Sequence, residues 1–409
     1  MASSLPDNPS LERLRSDART LQRGAIAGDA KALQTVRRYH PRSDIALGSG
    51  RFRLHDAQLT VARGYGFSGW PALVGYLAVA EELAVDPSGI TEDELAAADR
   101  FCSLSSLRYD HSDAPPRWQA AAELIESNPD VPQHHVWAAA SAADPAALTS
   151  HLEARPDLAT TPGGPFGWVP LLYLCYSRVP LPRNKDDVLA AAVVLLDAGA
   201  DPDSGYLWRA MATPFTALTG VFGEGEQGPG RQPRHPFALA LAVLLLQHGA
   251  HPVDQQTLYN RMFRADDSHL ELLFRHGLAD AGPSLWERRL GEAMETRAQM
   301  WQRQIDWAAE HGFADRLALL ARHGIDIGHA DLVEPEFPDD PNVRDGDGAT
   351  PLHHAAWSGD LNLMRRLLEA GADPTLVDHR YGTTPLGWAQ HAYQTEAAAY
   401  LGSWQTRTL

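Results

Sequence analysis

The chain has little cysteine, no surplus of positive charge and no long apolar run. Two cysteines in 409 residues, Cys102 and Cys175, exclude a disulfide scaffold and any all-cysteine zinc site, and fit a reducing cytosol. Lys and Arg total 35 against 52 Asp and Glu, a net charge of −17. That is the wrong sign for a protein held on nucleic acid or on anionic lipid, so neither is expected as a partner. The longest apolar runs, Val188 to Leu196 and Phe237 to Leu246, have nine and ten residues, where about 20 are needed to cross a bilayer. The start, MASSLPDNPSLERLRSDART, has no apolar stretch after a basic one and reads as no secretion signal. A cytoplasmic protein is expected.

Catalytic and metal signatures are also scarce. Although there are 18 histidines, the chain contains no H-x-x-x-H and no H-E-x-x-H, and the adjacent pairs His134-His135 and His353-His354 would diverge around a helix. Asp345 and Asp347 stand in a D-x-D-G without the remaining ligands of a calcium loop. No G-x-S-x-G elbow occurs. Gly223 to Gly228 reads G-x-G-x-x-G, but a helical pattern precedes it and glutamates stand where phosphate would sit, so it is no dinucleotide fingerprint. No metal and no cofactor are expected.

What the chain does have is a repeat. From Gly348 it reads GATPLHHAAWSGDLNLMRRLLEAGADPTLVD, and Thr384-Pro385-Leu386 opens a second copy about one 33-residue period on. Thr-Pro starts a helix, the hydroxyl capping a free amide and proline tolerated in the first turn. Paired alanines let helices approach, and Gly371 ends the second helix. Weaker second-helix endings close at Gly199, Gly249, Gly277 and Gly324, with further degenerate units at Val136, Leu54 and Gly24.

This stretch resembles an ankyrin repeat almost position for position, and the N-terminal block, with GWVPLLYLCYSR and PFTALTGVFGEGEQGPGRQPRHP further on, resembles a group of bacterial ankyrin-repeat proteins. The resemblance implies an all-α ankyrin-repeat solenoid of stacked helix-turn-helix units, with degenerate N-terminal repeats and loop insertions. The divisions expected are an N-terminal helical block at 1–83, an irregular connector at 84–117 with a helix from Glu92 to Ser103, central repeats with insertions at 118–282, and C-terminal repeats at 283–409. The segment 328–348, with seven acids and three prolines, reads as a surface finger.

In such an array the first helix of each unit lines the concave side. Aligning on His354 gives Tyr173, Ala217, Asn260, Trp307, His354 and Trp388, and one turn later Tyr176, Gly220, Phe263, Glu310, Trp357 and His391. Trp, Tyr and Phe make up only 8% of the chain but crowd this stripe, and exposed aromatic surface tends to bind something. The same rings could instead pack between helices. Phe215 begins the helix before the glycine-rich insertion 221–236, which carries Glu224, Arg234 and His235 and could close over the groove. Arg261 and Arg264, one turn apart, could grip a carboxylate with Arg178, or pair with nearby acids.

Two functions follow. One is a binding protein that holds a protein segment in an aromatic concave groove. The other is an enzyme for proton transfer, cyclisation or elimination on a small organic molecule, its site covered by the 221–236 loop. Glu224 and His354 are then the acid–base candidates, and Arg261 or Arg178 steadies negative charge.

Overall fold

A computed structural model describes residues 9–48, 52–330 and 337–405. Residues 331–336 of the acidic finger lie outside them. Seven helix pairs follow one another from Val136 onward among the described residues: Val136–Ser141 with Pro145–Ala154, Pro170–Tyr176 with Lys185–Asp197, Ala217–Phe222 with Ala238–Gln247, Gln255–Arg261 with Ser268–Arg275, Arg297–Glu310 with Ala314–Arg322, Pro351–Ser358 with Leu361–Glu369, and Pro385–His391 with Thr395–Gln405. The fold is the all-α ankyrin-repeat solenoid that the motif implies, with one small addition. Ala84–Val85 pairs in parallel with Gly205–Trp208, which pairs antiparallel with Pro214–Thr216.

The caps explain the helix starts. Thr384 accepts from the amide of Gly387, Asp360 from Leu363, Asp144 from Ala146 and Ala147, and Asp254 from Thr257. In the T-P-L-H motif the histidine completes the cap. His353 Nδ1 accepts the Thr350 amide at 3.0 Å, which leaves Nε2 to donate to the Thr383 carbonyl of the next repeat at 3.1 Å. One imidazole thus closes a helix start and ties two repeats. Gly371, with φ +95°, sits in the left-handed region where a side chain is strained.

Hydrophobic packing divides the molecule. A long core runs from Ala98 to Leu320, and a separate one joins Leu352, Leu367, Ala389 and Leu401. The core is therefore interrupted between the fifth and sixth helix pairs, where the acidic finger lies. At the other end a third core packs Leu14, Phe67 and Tyr76 against Leu207, Ala210, Trp286 and Leu290. Through it Leu14, Phe67 and Tyr76 dock on the array, and the Tyr76 hydroxyl donates to the carbonyl of Ala210. The helix expected at Glu92 to Ser103 begins later. A 3-10 turn occupies Glu92–Glu94 and the helix runs Ala97–Ser105.

Candidate functional site: a concave face and the strap across it

The insertion 221–236 forms a strap. Gly223, at φ +58°, ends the helix Ala217–Phe222 and reverses the chain. The neck is closed by the Glu224 amide donating to the Gln232 carbonyl at 2.7 Å and the His235 amide to the Val221 carbonyl at 3.0 Å. Gly228–Arg231 makes one helical turn at the tip.

Buried charge holds the base. The Glu224 carboxylate, 4% exposed, is paired with Arg261, 0% exposed, and with Arg234 at 2.9 Å. Asp266 pairs with the same two arginines. Burial pulls the pKa of Arg261 below its usual value, against the opposing pull of Glu224. Arg234 is less deeply buried, and there Glu224 and Asp266 outweigh the burial and raise it. Burial opposes ionisation of Asp266 too, but the Ser268 amide and hydroxyl and the two arginines hold its carboxyl far below the usual range. Arg178 is a buried peg. Its Nε donates to the Pro233 carbonyl at 2.7 Å and its Nη1 to Cys175 and Ser177 at 3.1 and 3.0 Å, while Nη2 meets Gly220. Burial lowers its pKa to about 10, so it stays charged at neutral pH. His235 accepts the Phe237 amide at 3.1 Å, and burial together with Arg178 pushes its pKa well down, leaving the ring neutral.

The upstream half of the aromatic stripe is buried instead of lining a groove. Tyr173 is 0% exposed; its hydroxyl donates to Gly163 at 2.9 Å and accepts from the Phe166 amide at 3.0 Å. Tyr176 donates to Thr216 at 2.9 Å and packs on Trp168 and Tyr206. Phe215 sits 5.0 Å from the ring of Tyr109. Asn260 is buried and accepts from Gln256 at 2.8 Å. These positions are inner-helix positions, as the alignment says, but the insertions supply a second layer over them. Arg261 does not join Arg264: it turns inward to Glu224 and Asp266, while Arg264 donates to the Ser358 carbonyl at 3.1 Å.

Downstream the stripe is accessible. Phe263 and Trp307, both half-buried, meet edge to face at 5.1 Å, with Tyr259 on one side at 5.3 Å and His311 stacked on Trp307 at 3.9 Å. In the last two repeats Trp388 contacts His354 at 5.4 Å and Trp357 at 5.9 Å, and Trp357 stacks on His391 at 5.8 Å. Trp388 is fixed by Nε1 donating to Asp378 at 3.0 Å. The side chain of His354 is 58% exposed and pairs with Asp345 at 2.8 Å. Arg264 bridges the two ring groups through Ser358. Tyr259, next to Asn260, belongs to the accessible group.

The two acid–base candidates stand in separate networks: Glu224 with Arg261 and Arg234, His354 with Asp345 and Trp388. Beside the strap's return lies a cavity of about 100 Å³ lined by Ser141, Leu174, Ser177, Val179 and His235, below the 300–1,000 Å³ typical of small-molecule sites. Among the described residues no three His, Cys, Asp or Glu side chains converge as a metal site, and no helix is long and apolar enough to cross a membrane. Both cysteines are buried free thiols, raised in pKa by burial.

Comparison with known proteins agrees with this architecture. A family model described as ankyrin repeats, in three copies, matches residues 305–405. The inactive serine/threonine-protein kinase TEX14 of Mus musculus is 43% identical over 65 residues, 15% of this chain and 4% of the relative. The ankyrin repeat and SAM domain-containing protein 6 of Rattus norvegicus is 38% identical over 82 residues, 19% of this chain and 9% of the relative. The chain spans less than a tenth of the length of either relative. Both relatives are mammalian and lend the bacterial likeness no support. With the Thr350–His353 cap tying one helix pair to the next and the family match over residues 305–405, this chain carries ankyrin repeats.

Proposed function

We propose that the chain is a protein-binding module whose accessible concave face, formed by Phe263, Trp307, His354, Trp357 and Trp388, holds an extended segment rich in Lys and Arg. One observation carries the reading: these rings stay exposed or half-exposed in two contacting groups, while Tyr173, Tyr176 and Asn260 of the upstream stripe are buried. Large rigid rings supply binding area at low entropic cost. Exposed acids flank them, Glu310 beside Trp307 and Asp345 on His354, and the net charge of −17 attracts a basic segment at a salt-dependent rate. The buried thiols fit a reducing compartment.

The small-molecule alternative has no such support. The strap folds inward, but its own side chains and those of the helix Gln255–Arg261 fill the space, and Glu224 is committed to ion pairs.

The test is titration of the full chain with fluorescent basic, acidic and neutral peptides at two salt concentrations. Basic peptides are expected to bind best, about ten-fold or more weaker with Trp357→Ala or Trp388→Ala, and weaker as salt rises. Equal affinity for all three peptides, or no loss in either variant, overturns the proposal.

A further inference from the structure

The strap is held differently at its two ends. The base is locked by buried ion pairs and the Arg178 peg. The tip, Gly228–Arg231, has no buried residue, yet it joins distant parts of the chain. Arg231 Nη1 donates to the carbonyls of His111 at 3.0 Å and Asp113 at 3.2 Å in the connector, and its Nε donates to the carbonyl of His391 at 3.1 Å in the last repeat. The guanidinium lies 5.4 Å from the centre of the Tyr393 ring. Gly230 passes against the last repeat so closely that a Cβ would overlap the Ala392 carbonyl oxygen.

Three carbonyl oxygens presented to a planar fork, with an aromatic face beside them, form a receptor for guanidinium. Arginine satisfies it with several N–H groups fixed in one plane; lysine offers a single point charge that cannot serve both sides at once. Nothing in the receptor requires that the arginine belong to this chain. The close passage at Ala392 adds a second requirement, a residue without a side chain immediately before the arginine.

We propose that the carbonyls of His111, Asp113 and His391 with the ring of Tyr393 form an arginine-binding site for a partner segment carrying glycine followed by arginine, and that the chain's own Gly228–Arg231 occupies it until such a partner displaces the tip. The tip is the part able to leave: Gly228–Arg231 is held by one side chain and one backbone passage, with Gln227 beside it donating to the Asp110 carbonyl at 3.0 Å, while the base stays fixed. As an internal competitor it acts at an effective concentration of order mM, so it lowers the apparent affinity for partners without blocking them. The site adjoins the aromatic face at His391, whose ring stacks on Trp357, but it does not rest on that proposal. Burial and the charge of Arg231 hold the His391 imidazole below its usual pKa, so departure of the arginine can be read at His391.

Calorimetric titration of the full chain with acetyl-Gly-Pro-Gly-Arg-amide, and with its lysine and alanine counterparts, tests this. Arg231→Ala is expected to bind the arginine peptide at least ten-fold more tightly than the unaltered chain, and to bind the other two peptides at least ten-fold more weakly than that. Its amides at 391–394 should exchange faster, and slow again when the arginine peptide is added, with the His391 titration moving up and then back. Absence of binding to Arg231→Ala, equal affinity in the two proteins, or indifference to the arginine overturns the proposal. Should Arg231→Ala lose its cooperative melt, Gly230→Val carries the same comparisons, because it lifts the tip off Ala392 while leaving Arg231 in the chain.

Discussion

Glu224 and Arg261 face each other as carboxylate and guanidinium at the foot of the strap, sealed from water. Removing one partner leaves the other charge buried, which costs more than the pair contributes. Glu224→Ala is expected to destabilise the protein by about 3 kcal/mol, the low end of the cost of orphaning a buried charge, because Asp266 remains beside Arg261. Glu224→Ala with Arg261→Met should recover most of that. Urea denaturation of the two variants checks it, and a single variant within about 0.5 kcal/mol of the unaltered chain, the usual size of surface substitutions, contradicts it.

Tyr173 and Trp357 both lie on the inner-helix stripe but differ in burial. Tyr173→Ala should cost about 3–5 kcal/mol as a core truncation and leave the accessible face intact. Trp357→Ala should lower the melting temperature much less and weaken peptide binding. A melt run beside a binding titration separates them; large destabilisation by Trp357→Ala with unchanged binding would remove it from the face.

His235 and His269 give the protein an acid limit. Burial holds both pKa values well below 6.5, helped by Arg178 for His235 and by Arg261 and Arg316 for His269. Folded, the rings stay neutral; unfolded, they take up protons once pH drops below about 6.5. The unfolded state then binds more protons, so stability is full above that pH and declines between about pH 7 and 5. Neither ring nitrogen of His269 has a hydrogen-bond partner among the described residues, so His269→Phe should keep or raise stability at pH 8 and flatten the decline. Urea midpoints at pH 8, 6 and 5 decide, and equal slopes in both proteins would count against it.

Gly371 tests the helix ending alone. With φ +95° and open space around the missing Cβ, Gly371→Ala and Gly371→Val should each cost about 1–3 kcal/mol through backbone strain. Thermal melts should show similar losses. A much larger loss for valine would mean crowding instead.

Much of the fold is legible in the sequence because its causes are local. The Thr350 and Thr384 caps, the paired alanines and the closing glycine act within one unit and recur from unit to unit. Where repeats are clean the exposure of the stripe is legible too, as at His354, Trp357 and Trp388. Where insertions intervene it is not. Tyr173 and Tyr176 fit the same template, and Phe215, expected to open a helix, lies in the strand before it; Phe166, Trp168 and Tyr206 from neighbouring insertions pack on these rings. Charge is misleading for a similar reason: Glu224 and Arg261 have catalytic residue types, but in the fold they neutralise one another.

The sequence alone determined the repeating unit, its helix starts and stops, and which residues point inward, since each depends on neighbours a few positions away. Only the tertiary structure decided which inward residues reach solvent, that the core breaks before the last two repeats, and that Arg231 joins His111 to His391. Those outcomes depend on how successive pairs stack and on where an insertion comes to rest, and small rotations summed over many repeats have no signature in any single one.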